Sequence, residues 1–554
     1  MSTVNVVIKH QGKKYDVEVD TTQTGEVLKY QLFSLTGVEP ERQKILVKGG
    51  QLKDDTDMSK LGLKPGQVIM MMGTPGDGGD AVVRPTEKIK FLEDMTEAEA
   101  AQQAGATPAG LVNLGNTCYL NSTLQALRSI PELQEALAKH DSTATSGITQ
   151  LDITNQLRDL FKDMSETQGG MSPFIFLNAL RVTFPQFAER SKKGPGYAQQ
   201  DAEEAWSQIV SQLRQKLKWA DPSEGETARA VSFVDKYMAG EFSSTLECDD
   251  PAAGEGGEQA TSAKEPFLKL NCHIDSQTAH LRDGLVNGLT EKIEKKSEVL
   301  GRDVMYTKTS KISRLPKYLT VHFVRFFWKR DVQKKAKIMR KVTFPHELDV
   351  VEFCTDELKK VLVPVRDKVR EVRKEEEDVE RARKRRKRNP LLDGDVPGGK
   401  GEVAKKNDKK PSTSGDGDVE MTETFKTDAE WDAEKAAALL EAKKELNALI
   451  DPELRKDDGA NQSGLYELRA VVTHQGASAD SGHYTAYVKK TGPKDPVTGK
   501  VGEEDGLWWW FNDDRVTEVT ADKIDALAGG GESHSALILL YKAIPLPTAE
   551  GLME

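Results

Sequence analysis

The chain has 554 residues and a net charge of −11, so it can hold two to four domains and bury a large core. An acidic balance argues against a nucleic-acid-binding body and against a peripheral protein held on an anionic membrane. Charged residues make up 30% and hydrophobic ones 37%, a soluble profile, and no apolar run approaches the roughly 20 residues of a membrane helix.

The first residues alternate as a strand and lack the basic region, apolar core and cleavage site of a signal peptide, so cytoplasm and nucleus are the expected locations. Val4–Ile8 and Tyr15–Val19 alternate around a Gly12-Lys13-Lys14 turn, which predicts a hairpin. Thr24–Leu35 reads as a helix, with Thr24 as cap and Val27, Leu28 and Leu32 on one face. Two short strands follow, Lys44–Val47 and Val68–Met72, with the turn-rich Gly49–Asp55 between them. This ββαββ order, with Lys44-Ile-Leu-Val-Lys-Gly-Gly-Gln-Leu-Lys-Asp-Asp55, resembles ubiquitin. Residues 1–73 are thus expected to be an integral ubiquitin-like domain, running into a flexible linker over 74–106 that has a possible short helix at Thr96–Gln103.

The next segment, Gly110-Leu-Val-Asn-Leu-Gly-Asn-Thr-Cys-Tyr-Leu-Asn-Ser-Thr-Leu-Gln-Ala-Leu127, carries the chemistry. A small-polar turn (Asn113, Gly115, Asn116, Thr117) delivers Cys118 to the first turn of a helix whose apolar face is Leu120, Leu124 and Leu127. A helix N-terminus carries about half a positive charge and unpaired N–H groups. Both favour thiolate over a thiol of ordinary pKa about 8.5, and the same N–H groups can hold an oxyanion. A buried structural cysteine is the bland alternative, and a histidine partner is the deciding test. Cys248, Cys272 and Cys354 form no C-x-x-C pair with it or each other, which disfavours structural zinc and disulfides.

Helices are predicted over 150–164, 172–182 and 201–217, and strand-rich sequence from about Val231. Leu319–Trp328 has the density of one central strand. Residues 366–426 read as a charged, disordered insertion that opens with a charged helix candidate ending in Arg383–Arg388 and continues as a Gly, Lys, Asp and Ser-rich run to about Thr424. Its basic run, Arg383–Arg388, is a nuclear signal, a nucleic-acid patch or a solvated face beside acidic neighbours. Thr427 opens a helix to about Leu449.

The domain resumes at Tyr466-Glu-Leu-Arg-Ala-Val-Val-Thr-His-Gln-Gly476, then a small-residue loop to Gly482, then His483-Tyr-Thr-Ala-Tyr-Val-Lys489 as a strand. His483 at the strand start could face a cleft, with Gly482 removing bulk where a substrate backbone would pass. Leu507–Phe511 is a further strand that runs into Asn512-Asp513-Asp514. A polar residue there can accept the second imidazole N–H and fix the tautomer offered to Cys118.

The Cys118, Tyr466–His483 and Trp510–Asp514 segments resemble the three catalytic boxes of the ubiquitin-specific proteases, and Gln199-Gln-Asp-Ala-Glu-Glu204 resembles that family's Gln-Gln-Asp box. With the ubiquitin-like domain, the layout resembles the proteasome-associated branch of the family, in its fungal form. The resemblance implies an α+β chain: a β-grasp domain, then a papain-like thumb–palm–fingers protease over 107–545 and a tail over 546–554. It implies hydrolysis after the C-terminal glycine of ubiquitin, with Cys118 as nucleophile, His483 as base, Asn113 as oxyanion donor, and Asn512 or Asp513 as the residue that orients the histidine. Asp201 and Gln200, with Gly482 and Tyr484, would meet the ubiquitin tail. Leu46, Ile69 and Met71 would form the apolar patch that docks on the regulatory particle of the 26S proteasome. No cofactor or metal is implied, and the fingers would be held by packing alone. The Gly476–Gly482 and Phe326–Lys335 segments resemble loops that block the cleft until the proteasome displaces them. A catalytically silent ubiquitin-binding adaptor is the rival reading, and a cysteine protease or acyltransferase of another family a third.

Overall fold

The computed structural model describes residues 3–73 and 107–547, except 141–151, 192–195, 220–230, 330–333, 389–427, 479–480, 493–501 and single or paired positions at 11–12, 37, 39, 48–49, 55, 256–257 and 503. The linker helix expected at Thr96–Gln103 lies outside these residues. The chain divides into two compact units, the first ending near residue 91.

In the N-terminal unit, β1 (Thr3–His10) and β2 (Lys13–Asp20) form the hairpin, α1 (Gly25–Thr36) crosses one face, and β3 (Lys44–Val47), β4 (Gly50–Gln51) and β5 (Val68–Met72) complete a sheet of order β2-β1-β5-β3-β4. Alternation buries Val6, Ile8, Val17 and Val19 against Leu28 and Leu32 of the helix. The same alternation corrects one expectation. Ile69 and Met71 are buried in this core, while Val68, Met70, Met72 and Leu46 face outward. Leu46 pairs with Met70, and β5 reads one residue out of the expected phase, which exchanges its two faces.

The second unit opens with helices α2 (Cys118–Arg128), α3 (Pro131–Lys139), α4 (Ile153–Ser165), α5 (Phe174–Thr183) and α6 (Ala202–Lys216), which share one apolar core. Strands β6 (Gly240–Cys248) and β7 (Thr261–Phe267) precede β8 (Leu270–His273). Next come β9 (Thr290–Lys296), β10 (Asp303–Arg314) and β11 (Tyr318–Val324). A four-stranded sheet of order β9-β10-β6-β7 makes the projecting fingers. Packing alone does not hold their end. Glu258 accepts from Ser297 at 2.6 Å and from Tyr306 at 2.5 Å, Asp249 pairs with Lys292 at 2.7 Å, and Asp250 pairs with Arg302. These strands carry too few apolar side chains to make a core, so polar pairs supply the cross-links.

The single strand expected over Leu319–Trp328 is broken at Arg325. β11 stays in the large sheet, while β12 (Phe326–Lys329) and β13 (Lys334–Lys337) form a separate hairpin. The break comes from Arg325, buried with its guanidinium turned to the carbonyls of Ala528, Ala536, Ile338 and Arg340. After β14 (Glu347–Asp349) come the helices α7 (Asp356–Arg388) and α8 (Asp428–Leu449). The charged helix candidate ending in Arg383–Arg388 is therefore borne out, and disorder does not begin at 366. Val365, Val369 and Val372 pack against Ala442, Leu446 and Ile450, and Lys368–Glu445 and Glu376–Lys443 close at 2.7 Å. Residues 389–427 lie outside the described ones.

Strands β15 (Leu465–Ser478), β16 (Ser481–Lys489), β17 (Trp508–Asn512), β18 (Arg515–Val519) and β19 (Ser535–Ala543) complete the central sheet, of order β8-β11-β19-β15-β16-β17-β18 with β14 beside β15. Of the expected loop over 477–482, residues 477–478 end β15 and 481–482 open β16, with a bulge between Gln475 and Ser478, while 479–480 lie outside the described residues. Gly476 and Gly482 sit at φ +117° and +130°, and a Cβ on Gly482 would lie 2.1 Å from the Gln475 carbonyl. That glycine is required by the bulge itself, whatever passes outside it.

Candidate active site

Helix α2 lies across β16, which places the helix start against the strand that carries His483. The preceding turn is organised by one side chain. Asn113 Oδ1 accepts from the N–H of Gly115 at 2.9 Å and of Thr117 at 3.2 Å, and Thr117 Oγ1 accepts from the Leu114 N–H. Gly115 and Asn116 take left-handed conformations, φ 94° and 57°, which reverses the chain into the helix. The Asn116 side chain then donates to the Tyr197 carbonyl at 3.0 Å.

His483 Nε2 lies 2.6 Å from Asn512 Oδ1. The amide oxygen only accepts, so Nε2 carries the proton and Nδ1 keeps its lone pair. The next residue, Tyr484, directs its backbone N–H at the Cys118 thiol, while its ring is buried against His474. The Tyr484 side chain is therefore core, and its contribution to the cleft is the main chain.

Asp513, at φ 54°, has a different task from Asn512. Its Oδ2 accepts from Asn113 Nδ2 at 3.0 Å, its Oδ1 from Asn121 Nδ2 at 2.8 Å, and its carbonyl from the Leu111 N–H at 2.9 Å. The alternatives left open by the sequence thus separate: Asn512 meets the histidine and Asp513 meets the turn before the nucleophile.

The thiol departs from expectation. Cys118 is 3% exposed, and burial pushes its pKa up to about 11, with the Asp513 charge adding to the rise. The N–H groups of Tyr484, Tyr119 and Cys118 itself pull the other way, as the helix start predicts, but desolvation is the larger effect. Burial thus works against the thiolate that the helix start favours.

Asp201 caps α6, accepting from the Glu203 N–H at 2.9 Å, and the Nε2 atoms of Gln199 and Gln200 are buried without a hydrogen-bond partner. Leu46 lies in the other unit with its outward-facing neighbours. Sequence reasoning missed three residues of the site. Asn121, buried three residues after the cysteine with its amide turned to Asp513, had no signal that set it apart from the other buried polar residues of α2, Ser122, Thr123 and Gln125. His474 and His534 had no sequence signal beyond being histidines in or next to apolar strands. Burial holds their pKa values down to about 3 and about 4, and His534 stands 6.4 Å from the His483 ring, its Nδ1 bonded to Thr473 at 3.1 Å. A groove of about 470 Å³ between α7 and α8, lined in part by Trp431, Val379 and Leu439, holds none of these residues.

A cysteine at a helix start, facing a strand with an amide-oriented histidine, on a helical lobe packed against a sheet, defines a thiol hydrolase of the α+β class. The ubiquitin carboxyl-terminal hydrolase family model matches residues 109–541, and the ubiquitin family model matches 4–76. Ubiquitin carboxyl-terminal hydrolase 6 of Schizosaccharomyces pombe is 43% identical over 98% of this chain and 99% of its own length. Ubiquitin carboxyl-terminal hydrolase 7 of Arabidopsis thaliana is 38% identical over 98% and 99%, and ubiquitin carboxyl-terminal hydrolase 14 of Caenorhabditis elegans 31% over 98% and 94%. The chain belongs to the ubiquitin carboxyl-terminal hydrolase family and is a ubiquitin C-terminal hydrolase with an N-terminal ubiquitin-like domain.

Proposed function

We propose that this enzyme cleaves the isopeptide or peptide bond after the C-terminal glycine of ubiquitin on proteasome-bound conjugates, in cytoplasm and nucleus, and that it is slow alone and fast when docked. The observation that carries the chemistry is the 2.6 Å His483–Asn512 bond on the strand whose next N–H meets the Cys118 thiol. As the ubiquitin tail enters, His483 Nδ1 takes the thiol proton and Sγ attacks the glycine carbonyl. The oxyanion is received by the Cys118 N–H and by Asn113 Nδ2, which Asp513 aims. The intermediate collapses, the amine leaves with the proton from His483, and a thioester remains. His483 then deprotonates water, which attacks the thioester and releases Cys118. Asp201, its direction set by the cap bond, is assigned to a cationic side chain of the tail, with Gln200 beside it.

Slow activity in isolation is supported by a buried nucleophile, since burial works against the thiolate. Docking is assigned to the outward face Leu46, Val68, Met70 and Met72, which replaces Ile69 and Met71 in that role. Ubiquitin bearing a C-terminal electrophile, reacted with and without purified proteasome, tests both parts. Faster capture with proteasome, and no adduct in Cys118→Ala, is expected. Equal rates would sink the regulation, and an adduct that survives the substitution would sink the nucleophile. No capture under either condition would favour the silent adaptor.

A further inference from the structure

Helix α5 has apolar side chains on two faces. Phe176, Leu177, Ala179 and Leu180 are buried, whereas Phe174, Ile175 and Val182 are 57%, 65% and 60% exposed. At about 100° per residue, the three exposed side chains fall on one side of the helix with Asn178 among them, so they form a stripe rather than scattered surface hydrophobes.

The start of this helix is anchored beside the nucleophile. Met171, three residues before Phe174, bridges to Leu111. Its N–H donates to the Gly110 carbonyl at 2.9 Å, and its carbonyl accepts from the Val112 N–H at 2.8 Å. Asn113 is the next residue in the chain, and Leu114 after it is 37% exposed. Gly110 and Gly170 both lie against Asp514: an added Cβ would stand 2.6 Å from its carbonyl oxygen and 3.0 Å from its Cβ, respectively. The stripe thus begins within roughly 20 Å of Asn113, the reach of about six extended residues.

Helix α2 shows which side of the scissile bond this is. Asn121 donates to the Leu111 carbonyl at 3.2 Å and to Asp513 Oδ1 at 2.8 Å, while Thr123 Oγ1 donates to the carbonyl of Ala202, the first residue of α6, at 3.3 Å. Residues two apart on a helix point to nearly opposite sides. The start of α6, with Gln200 and Asp201, therefore stands on one side of α2. Leu111, Asp513 and the start of α5 stand on the other. The ubiquitin tail is assigned to the first side. The leaving amine takes its proton from His483, whose ring is held by Asn512 immediately before Asp513, and departs on the second.

We propose that Phe174 and Ile175, with Leu114 at the near end and Val182 at the far end, set specificity on the leaving side by taking an extended apolar segment of the polypeptide that carries the modified lysine. The proposal rests on Cys118 being the nucleophile and on the tail lying at Asp201. The stripe offers on the order of a few hundred Å², too little for a second copy of this chain or another folded partner, whose stable interfaces bury about 1,200–2,000 Å². An extended segment needs less, because it is already tethered at Cys118 through its lysine and meets the stripe at a high effective concentration.

The test uses full-length enzyme in excess over ubiquitin joined through its C-terminal glycine to the lysine of a short peptide. One peptide carries leucines within about six residues of the lysine, the other serines at the same positions. Each rate is divided by that for release of a small fluorophore from the ubiquitin C-terminus, which brings no polypeptide to the leaving side. Wild type is expected to cleave the leucine conjugate about tenfold faster than the serine one. The double variant Phe174→Ser, Ile175→Ser is expected to bring that ratio to about one at an unchanged melting temperature, and Phe174→Leu, Ile175→Leu to keep it. Equal rates in wild type overturn the proposal. So does a serine variant that keeps the preference; if that variant also slows cleavage of ubiquitin dimers, the stripe belongs to a second ubiquitin. No fluorophore release by wild type, or release that survives Cys118→Ala, would overturn the nucleophile assignment instead, a failure distinct from any change in the ratio.

Discussion

An amide, not a carboxylate, faces His483, and this leaves a signature in pH. Asn512 orients the ring but does little to stabilise an imidazolium. Asn512→Asp places a negative charge 2.6 Å from Nε2, which raises the histidine pKa. The acid limb of kcat/KM should therefore move to higher pH, by about one unit, in a pH–rate profile. Asn512→Ala is expected to lower kcat by about 10²-fold or more at neutral pH, since the tautomer is no longer set. Asp513→Ala removes the acceptor that aims Asn113 and Asn121, and is expected to cost about 10²–10³ in kcat with little change in KM. Steady-state kinetics on a ubiquitin reporter separate the two residues, because only Asn512 substitutions should move the acid limb.

At the scale of elements, the central sheet buries two histidines beside the site. His474, on β15, and His534, just before β19, are held neutral, with pKa values of about 3 and about 4 against an ordinary 6.5. The unfolded chain binds more protons than the folded one below pH 6.5, so their contribution to stability is full above that value and is lost as pH falls toward 4 and 3. The midpoint of denaturant unfolding is expected to drop steeply over this window. His534→Asn, which retains a polar group for Thr473, should flatten that dependence without changing stability at pH 8 by more than about 1 kcal/mol. Helices were the most legible elements. The sequence placed α4, α5, α6 and α8 within a few residues of their ends, because an apolar stripe and a cap are local signals. The β12–β13 hairpin was not legible, because what breaks the Leu319–Trp328 run is Arg325 reaching carbonyls more than 200 residues away in the chain.

At the scale of the molecule, the chain divides into two units. In the N-terminal unit the register of one strand decides which residues face outward and which serve the core. Ile69→Ala is expected to destabilise that unit by about 2–5 kcal/mol. Met70→Asp should leave its stability nearly unchanged and abolish co-sedimentation of the full-length protein with proteasome. Loss of binding in Ile69→Ala alone would reverse the assignment of faces. The sequence by itself determined the α+β class and the ubiquitin-like and hydrolase folds, and singled out Cys118, His483, Asn113, Asn512 and Asp513 as candidates, because turn chemistry, strand alternation and ordered boxes are written in neighbouring residues. Only the tertiary structure decided which of Asn512 and Asp513 meets the histidine, which face of β5 is outward, and how deeply Cys118 is buried. Each of these depends on what residues distant in sequence bring close: an amide 29 positions from the imidazole, a strand partner that sets the pleat, and the core that removes water from the thiol.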